Sequence, residues 1–91
     1  MKHKIIHSTI NAADCFIDIT QDVCPLTFVK TKLLIETMAP GETAEVRLKG
    51  REPLENVPRS VTEHGHTVLS LKPESPDQGA YGVHRLCLRK E

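Results

Sequence analysis

The pair Cys24-Pro25 is the part of this sequence best suited to chemistry. Pro25 opens a run of helix-favouring residues that extends to about Met38 and stops at the breaker Ala39-Pro40-Gly41. Proline is favoured at the first position of a helix, so this spacing predicts Cys24 at the N-terminal cap. A thiol acts as a nucleophile only when it is ionised, and the unpaired amides and the dipole of a helix N-terminus lower its pKa. The sequence therefore predicts a candidate reactive cysteine at position 24.

The surroundings of Cys24 contain groups that favour the thiolate and one group that opposes it. A thiolate, or a persulfide on the same sulfur, could accept hydrogen bonds from three backbone amides, those of Leu26, Thr27 and Phe28. Lys30 and Lys32 add positive charge within two helical turns, whereas Asp22 adds negative charge. An inert, buried cysteine is the alternative that these residues leave open.

The other cysteines and the five histidines are weaker candidates. Cys15 shares the strand parity of Ile17, which predicts a position in the core. Cys87 alternates with Leu86 and Leu88, which predicts a position on the outer face of a sheet. No Cys-x-x-Cys pair and no acidic cluster accompanies the histidines, so neither a metal site nor a cofactor is predicted.

Alternating and helical patterns predict the elements that must position Cys24. Strands are predicted at residues 15–20, 43–49, 66–71 and 82–90, and helices at residues 25–38 and 53–64. Pro58 is expected in the first turn of the second helix, because an interior proline breaks a helix. The order β-α-β-α-β-β predicts an α/β (α+β) fold, a two-layer sandwich in which two helices cover one face of a four-stranded mixed sheet.

The first helix presents two apolar faces. Five residues at helical spacing form an arc that should face the sheet: Phe28, Thr31, Leu34, Ile35 and Met38. Leu26, Val29 and Leu33 form a second stripe on another face, close to Cys24. Together with Lys30, this stripe is a candidate docking surface for partner proteins. The alternative that stays open is that the stripe packs against the second helix or under the N-terminal extension.

The composition limits the classes of function. The 91 residues indicate one domain over residues 14–91, preceded by an extension over residues 1–13. Twelve basic residues balance twelve acidic ones, which argues against binding to nucleic acid or to a membrane surface through bulk charge. We find no apolar run of membrane-spanning length, no recognisable secretory signal and an odd number of cysteines, three. These features predict a cytoplasmic location and leave the oligomeric state open.

The residues around Cys24 resemble the TusA/SirA-like family of small sulfur-carrier proteins. The family pattern is an aspartate, a glycine, Cys-Pro-x-Pro, a helix and a Pro-Gly-Glu-like turn. The residues that match it are Asp18, Cys24, Pro25, Gly41 and Glu42. The order of elements also agrees, and the resemblance covers about residues 15–91. It implies that Cys24 accepts sulfane sulfur as a persulfide and hands it to a partner.

The sequence departs from the family pattern at three places. Thr27 stands at the second proline of the motif, Gln21 at its glycine, and Lys49-Gly50-Arg51 at an acidic corner after the second strand. Thr27 keeps a backbone N–H that proline would lack. The basic corner changes the charge of this region and indicates a different set of partners.

Two functions are consistent with these residues. The first is a sulfur relay, rather than a self-contained enzyme, which takes sulfur from a donor such as a cysteine desulfurase or a rhodanese-like enzyme and gives it to an acceptor protein. The second is a non-catalytic regulatory or scaffolding module in which Cys24 is structural. A Cys24 pKa well below roughly 8 would favour the relay, and a protected thiol would favour the module.

Overall fold

A computed structural model describes residues 13–23 and 25–91 of the chain. Its strands are β1 (Cys15–Asp18), β2 (Thr43–Leu48), β3 (Thr67–Pro73) and β4 (His84–Arg89), and its helices are α1 (Leu26–Thr37) and α2 (Arg51–Glu63). A short 3-10 helix, Pro76–Gln78, interrupts the loop between β3 and β4. The predicted order β-α-β-α-β-β is confirmed, although the first and last strands are shorter than predicted. The proposed extension over residues 1–13 lies almost wholly outside the described residues.

The four strands form one mixed sheet in the order β1-β2-β4-β3. β1 runs parallel to β2, with Cys15 opposite Ala44. β4 runs antiparallel to both of its neighbours, and the pairing of β3 shifts between Val68 and Ser70. Because β1 is an edge strand, the loop that leaves it toward α1 lies at one side of the sheet.

Strand alternation places the core on one face of the sheet. Ala44, Val46 and Leu48 of β2 are fully buried, whereas the residues between them are only partly buried. The buried apolar residues form a single cluster that draws on both helices and the sheet: Ile19, Ile35, Met38, Ala44, Val46, Leu48, Val57, Val61, Leu86 and Leu88. Both helices therefore cover the same face, and the predicted two-layer sandwich is confirmed.

The buried face of α1 differs in part from the predicted arc. Thr27, Thr31 and Ile35 are buried, at a spacing of four residues. The Thr31 hydroxyl donates a hydrogen bond to the Thr27 carbonyl oxygen at 2.9 Å, so this polar group can be buried at little cost. Phe28 and Leu34, which were predicted to face the sheet, are only partly buried and pack at the border of the core.

The prediction that Pro58 lies in the first turn of α2 was wrong. α2 begins at Arg51, after Gly50 with φ 100°, and Pro58 lies in its interior. Pro58 cannot donate a hydrogen bond to the carbonyl of Leu54, which weakens the helix at this point. Val57 and Val61 on either side of it are fully buried. Tertiary packing of this face therefore outweighs the lost hydrogen bond.

Candidate functional site

The site is built from the neighbours of Cys24, because Cys24 itself lies outside the described residues. The segment from Ile19 to Pro25 joins the end of β1 to α1. Ile19 is 1% exposed, and its amide donates to the Arg47 carbonyl oxygen at 2.9 Å, which extends the pairing with β2 by one residue. The Asp22 amide then donates back to the Ile19 carbonyl oxygen at 3.1 Å. The segment that leads to Cys24 therefore starts from a fixed point in the core.

Asp18 ties the end of β1 to this segment. One carboxylate oxygen accepts hydrogen bonds from the Thr20 amide at 2.9 Å and from the Thr20 hydroxyl at 2.7 Å. The other oxygen accepts from the Arg47 guanidinium at 2.9 Å. The bonds from Thr20, more than the charge of Arg47, hold the pKa of Asp18 below its usual value. Asp18, which matches the aspartate of the family pattern, therefore connects the end of β1 to Thr20 and to Arg47 of β2.

Arg47 carries this connection across the open face of the sheet. Its guanidinium binds the Glu74 carboxylate with two hydrogen bonds, at 2.8 and 3.1 Å. Arg85 also donates to Glu74, at 3.2 Å, and to Glu45, at 3.4 Å. The hydrogen bonds from Arg47 lower the pKa of Glu74 to about 2. No local pattern indicates this network, because Arg47 and Glu74 are 27 residues apart and are brought together by the register of the strands.

Acid should weaken the fold through Glu74. Its pKa is about 2 in the folded protein and near 4.5 in the unfolded chain, so its contribution is complete above pH 4.5 and is lost as the pH falls toward 2. The variant Glu74→Gln should therefore show a smaller fall in melting temperature between pH 5 and pH 2.5 than the wild type. Thermal unfolding followed by circular dichroism measures both curves. Parallel curves for the two proteins would contradict this role of Glu74.

The start of α1 is one residue later than predicted. Pro25 is the N-terminal cap and Leu26 the first helical residue, so Cys24 precedes the cap instead of occupying it. The Pro25 carbonyl oxygen accepts hydrogen bonds from the amides of Phe28 and Val29, both at 3.1 Å. A turn closed by the Leu26 amide, which donates to the Val23 carbonyl oxygen at 2.8 Å, leads the chain into the helix.

The amides of Leu26 and Phe28, both predicted persulfide donors, donate to backbone carbonyl oxygens. The Leu26 amide bonds to Val23 and the Phe28 amide to Pro25, as described above. A sulfur anion at position 24 would have to share these amides with the carbonyl oxygens, in three-centre hydrogen bonds of the kind common at helix ends. Thr27 is 1% exposed on the sheet side of α1. The role of the three amides stays a prediction.

The charges near Cys24 compensate one another. The Lys30 ammonium group lies 2.8 Å from the Asp22 carboxylate. Lys32 lies 2.8 Å from Glu36, one turn further along α1. The sequence suggested lysines that support a thiolate and an aspartate that opposes it. The structure instead pairs Lys30 with that aspartate, eight residues away in the chain, a contact for which periodicity gives no signal.

The stripe of Leu26, Val29 and Leu33 is exposed. Its side chains are 48%, 42% and 55% accessible, and Val23, just before Cys24, is 70% accessible. Packing against α2, one of the two alternatives, is therefore excluded. Cover by the N-terminal extension concerns residues outside the described part of the chain. An apolar surface beside the predicted reactive residue fits a protein that docks on others.

A small groove lies between α1 and α2, and Phe28 is one of the residues that line it. Its volume is about 110 Å³, and Ile35 and Val61 are among the residues that line it. The rings of Phe28 and His64 pack with their centroids 5.3 Å apart. His66 also lines the groove and accepts a hydrogen bond from the Glu91 amide at 3.1 Å. Both histidines thus have contacts within the fold.

Cys15 and Cys87 lie on opposite faces of the sheet. Cys15 is half-buried and packs against the core, as predicted. Cys87 is half-buried on the outer face, also as predicted, opposite Glu45 of β2. Burial, and to a smaller extent the Glu45 carboxylate, raises the pKa of the Cys87 thiol. Cys87 is therefore a poorer nucleophile at neutral pH than an ordinary cysteine.

Residues 13–23 and 25–91 contain neither a candidate metal site nor a candidate membrane-spanning helix. No group of three or more His, Cys, Asp or Glu side chains in this part of the chain is arranged to hold a metal ion. None of the helices described above has the length and apolarity needed to cross a membrane.

The fold is that of SirA-like proteins. The crystal structure of a SirA-like protein from Desulfitobacterium hafniense matches this chain with a TM-score of 0.69. The match covers 85% of this chain and 99% of that one, at 18% sequence identity. At this identity the likeness concerns the fold alone. Residues 16–90 also match the profile of the sulfurtransferase TusA family, and the chain belongs to that family.

Two sequence relatives carry names that agree with this family. A protein of Archaeoglobus fulgidus, named as a candidate sulfur carrier, is 45% identical over 56 residues, which are 62% of this chain and 64% of that protein. The chain thus spans slightly less than two thirds of that relative. A protein of Thermotoga maritima with the same name is 34% identical over 62 residues, covering 68% of this chain and 78% of that protein.

Proposed function

We propose that this protein is a sulfur carrier that holds sulfane sulfur as a persulfide on Cys24 and passes it to an acceptor protein. The observation that carries the proposal is membership of the sulfurtransferase TusA family, combined with a Cys24-Pro25 pair directly before α1. The exposed residues on either side, Val23 and Pro25, support access of a second protein to this part of the chain.

The proposed transfer needs only thiol chemistry. The Cys24 thiolate attacks the terminal sulfur of a persulfide on the donor, R–S–SH. A bond forms between the Cys24 sulfur and that terminal sulfur, the S–S bond of the donor breaks, and the donor leaves as a thiolate. A thiolate of the acceptor repeats this exchange and releases Cys24 as a thiolate. Electrons balance within each step, so no metal, cofactor or external oxidant takes part.

The exposed stripe of α1 is the proposed docking surface. A relay must bind a donor, such as a cysteine desulfurase or a rhodanese-like enzyme, and an acceptor in turn. Leu26, Val29 and Leu33 offer an apolar contact on the helix that begins beside Cys24, and Lys30, 47% exposed, borders it. One surface that serves both partners would bring each of them to the same sulfur.

The setting proposed for this relay is the cytoplasm. A reducing compartment keeps the three thiols available, and the structure contains no disulfide between Cys15 and Cys87. The net charge of zero gives no basis for direct binding to nucleic acid.

Mass spectrometry of the wild-type protein tests the proposal. After incubation with a persulfidated donor and digestion before aspartate residues, without reductant, each cysteine lies in its own fragment: residues 14–17, 22–76 and 77–91. We expect an added mass of about 32 Da, one sulfur atom, on fragment 22–76. An adduct confined to the other two fragments, or none at all, would overturn the proposal. A lack of any adduct would instead support the regulatory or scaffolding module.

A further inference from the structure

The ion pair between Asp22 and Lys30 spans the position of Cys24. Asp22 lies two residues before it and Lys30 six residues after it, in the second turn of α1. The two charged groups are 2.8 Å apart. The Asp22 side chain is only 17% exposed, whereas Lys30 is 47% exposed. The carboxylate is therefore largely covered, and Lys30 reaches back to it along the surface.

Backbone hydrogen bonds fix both ends of the same segment. The Asp22 amide bonds to Ile19, a core residue, and the Val23 carbonyl oxygen accepts from the Leu26 amide. Asp22 is thus held to the end of β1 through its backbone and to α1 through its side chain. Without the Lys30 cation this carboxylate would be left uncompensated. The bond from Lys30 to Asp22 therefore restrains the chain two residues before Cys24 in the sequence.

We infer that the Asp22–Lys30 ion pair positions the Cys24 segment against α1 and cancels the charge of the Asp22 carboxylate at the thiol. Lys30 then acts as a positioning residue, in addition to its proposed place beside the docking surface. This inference rests on the proposed function, since it concerns the reactivity of the same cysteine. Lys30 therefore does not simply add positive charge beside the thiol, because Asp22 neutralises that charge.

The inference predicts shifts of opposite sign. In Lys30→Met the carboxylate is uncompensated two residues from the thiol, so the thiolate is disfavoured and the pKa of Cys24 rises. In Asp22→Asn the ammonium group is uncompensated, so the pKa of Cys24 falls. We expect each shift to be about half to one pH unit, the effect of one nearby charge that is partly screened by solvent. The double variant Asp22→Asn/Lys30→Met should return close to the wild-type value.

The pH profile of alkylation measures these shifts at Cys24 alone. The rate of iodoacetamide labelling is followed on the fragment that contains only Cys24: residues 22–76 in most variants, 18–76 where Asp22 is replaced by Asn, and 18–29 where Asp22 and Lys30 are exchanged. Lys32→Met is the matched control: it removes a lysine of the same helix whose partner is Glu36, and its profile should stay at that of the wild type. The variant Asp22→Lys/Lys30→Asp exchanges the two charges. The midpoint of its alkylation profile should return to the wild-type value, which either single change displaces.

The alkylation profiles test the role of the ion pair, and sulfur loading of the wild type tests the proposed function. Shifts of the same sign in the two single variants would indicate a purely structural role and would overturn the inference, as would unshifted midpoints. Sulfur loading of wild-type Cys24 is measured independently, so it can succeed when the inference fails. If the wild type accepts no sulfur, the proposed function fails whatever the alkylation profiles show.

Discussion

The variant Cys24→Ser should accept no sulfur, while its fold stays intact. A serine hydroxyl has no accessible anion at neutral pH and cannot form the S–S bond that a persulfide requires. Val23 and Pro25, on either side, are exposed, so the substitution should not disturb the core. Intact-mass spectrometry after incubation with a persulfidated donor should show the added sulfur on the wild type only. Far-ultraviolet circular dichroism checks the fold.

The other thiols provide the matched controls for Cys24→Ser. Cys87→Ser should load like the wild type, because burial raises the pKa of the Cys87 thiol and keeps it protonated near neutral pH. Cys15→Ala should also load, with some loss of stability, since Cys15 packs against the core. If Cys24→Ser still carries one sulfur and Cys87→Ser carries none, the assignment of the reactive cysteine is wrong.

Substitution of leucine by alanine should strongly destabilise the protein at a core position and have little effect on stability at the exposed stripe of α1. Leu88 is fully buried in β4, so Leu88→Ala should lower the free energy of unfolding by about 2–5 kcal/mol. For a domain of 91 residues this is a large share of the total stability. Leu33 is 55% exposed on α1, and Leu33→Ala should change the free energy of unfolding by about 0.5 kcal/mol or less.

Urea unfolding and sulfur transfer together test this contrast. Leu33→Ala should unfold at nearly the wild-type urea concentration and yet transfer sulfur to its acceptor more slowly, because it removes apolar contact area from the proposed docking surface. Leu88→Ala should unfold at a clearly lower concentration. A Leu33→Ala variant that is as destabilised as Leu88→Ala would mean that the stripe is covered in solution. Normal transfer by Leu33→Ala would argue against this stripe as the docking surface.

The sequence predicts most of the architecture because the strands have strong patterns. Thr43–Leu48 alternates between buried and half-buried residues along its whole length, which matches its apolar alternation. The interior position of Pro58 could not be predicted, since local propensity alone would end a helix there. Its tolerance depends on the burial of Val57 and Val61, which is decided by the sheet beneath them.

The sequence indicates which residues belong to the candidate site, but it does not indicate which of their side chains contact one another. Cys24, Pro25 and Asp18 follow from local sequence and from resemblance to a family. Lys30 and Asp22, which form one ion pair, are eight residues apart, and Arg47 and Glu74, which form another, are 27 residues apart. Such contacts depend on loop path and strand register, which a single sequence does not specify. The start of α1, one residue later than predicted, is likewise not specified by local propensity.

The two faces of α1 differ in what they contribute to the fold. Thr27, Thr31 and Ile35 hold the helix to the sheet, while Leu26, Val29 and Leu33 contribute little to the core. Mutations on the outward face can therefore accumulate without threatening the fold. If the outward face is the docking surface proposed for the relay, changes to a few side chains there would alter the choice of partner and leave the fold unchanged. Diversification of partners then carries almost no penalty in stability.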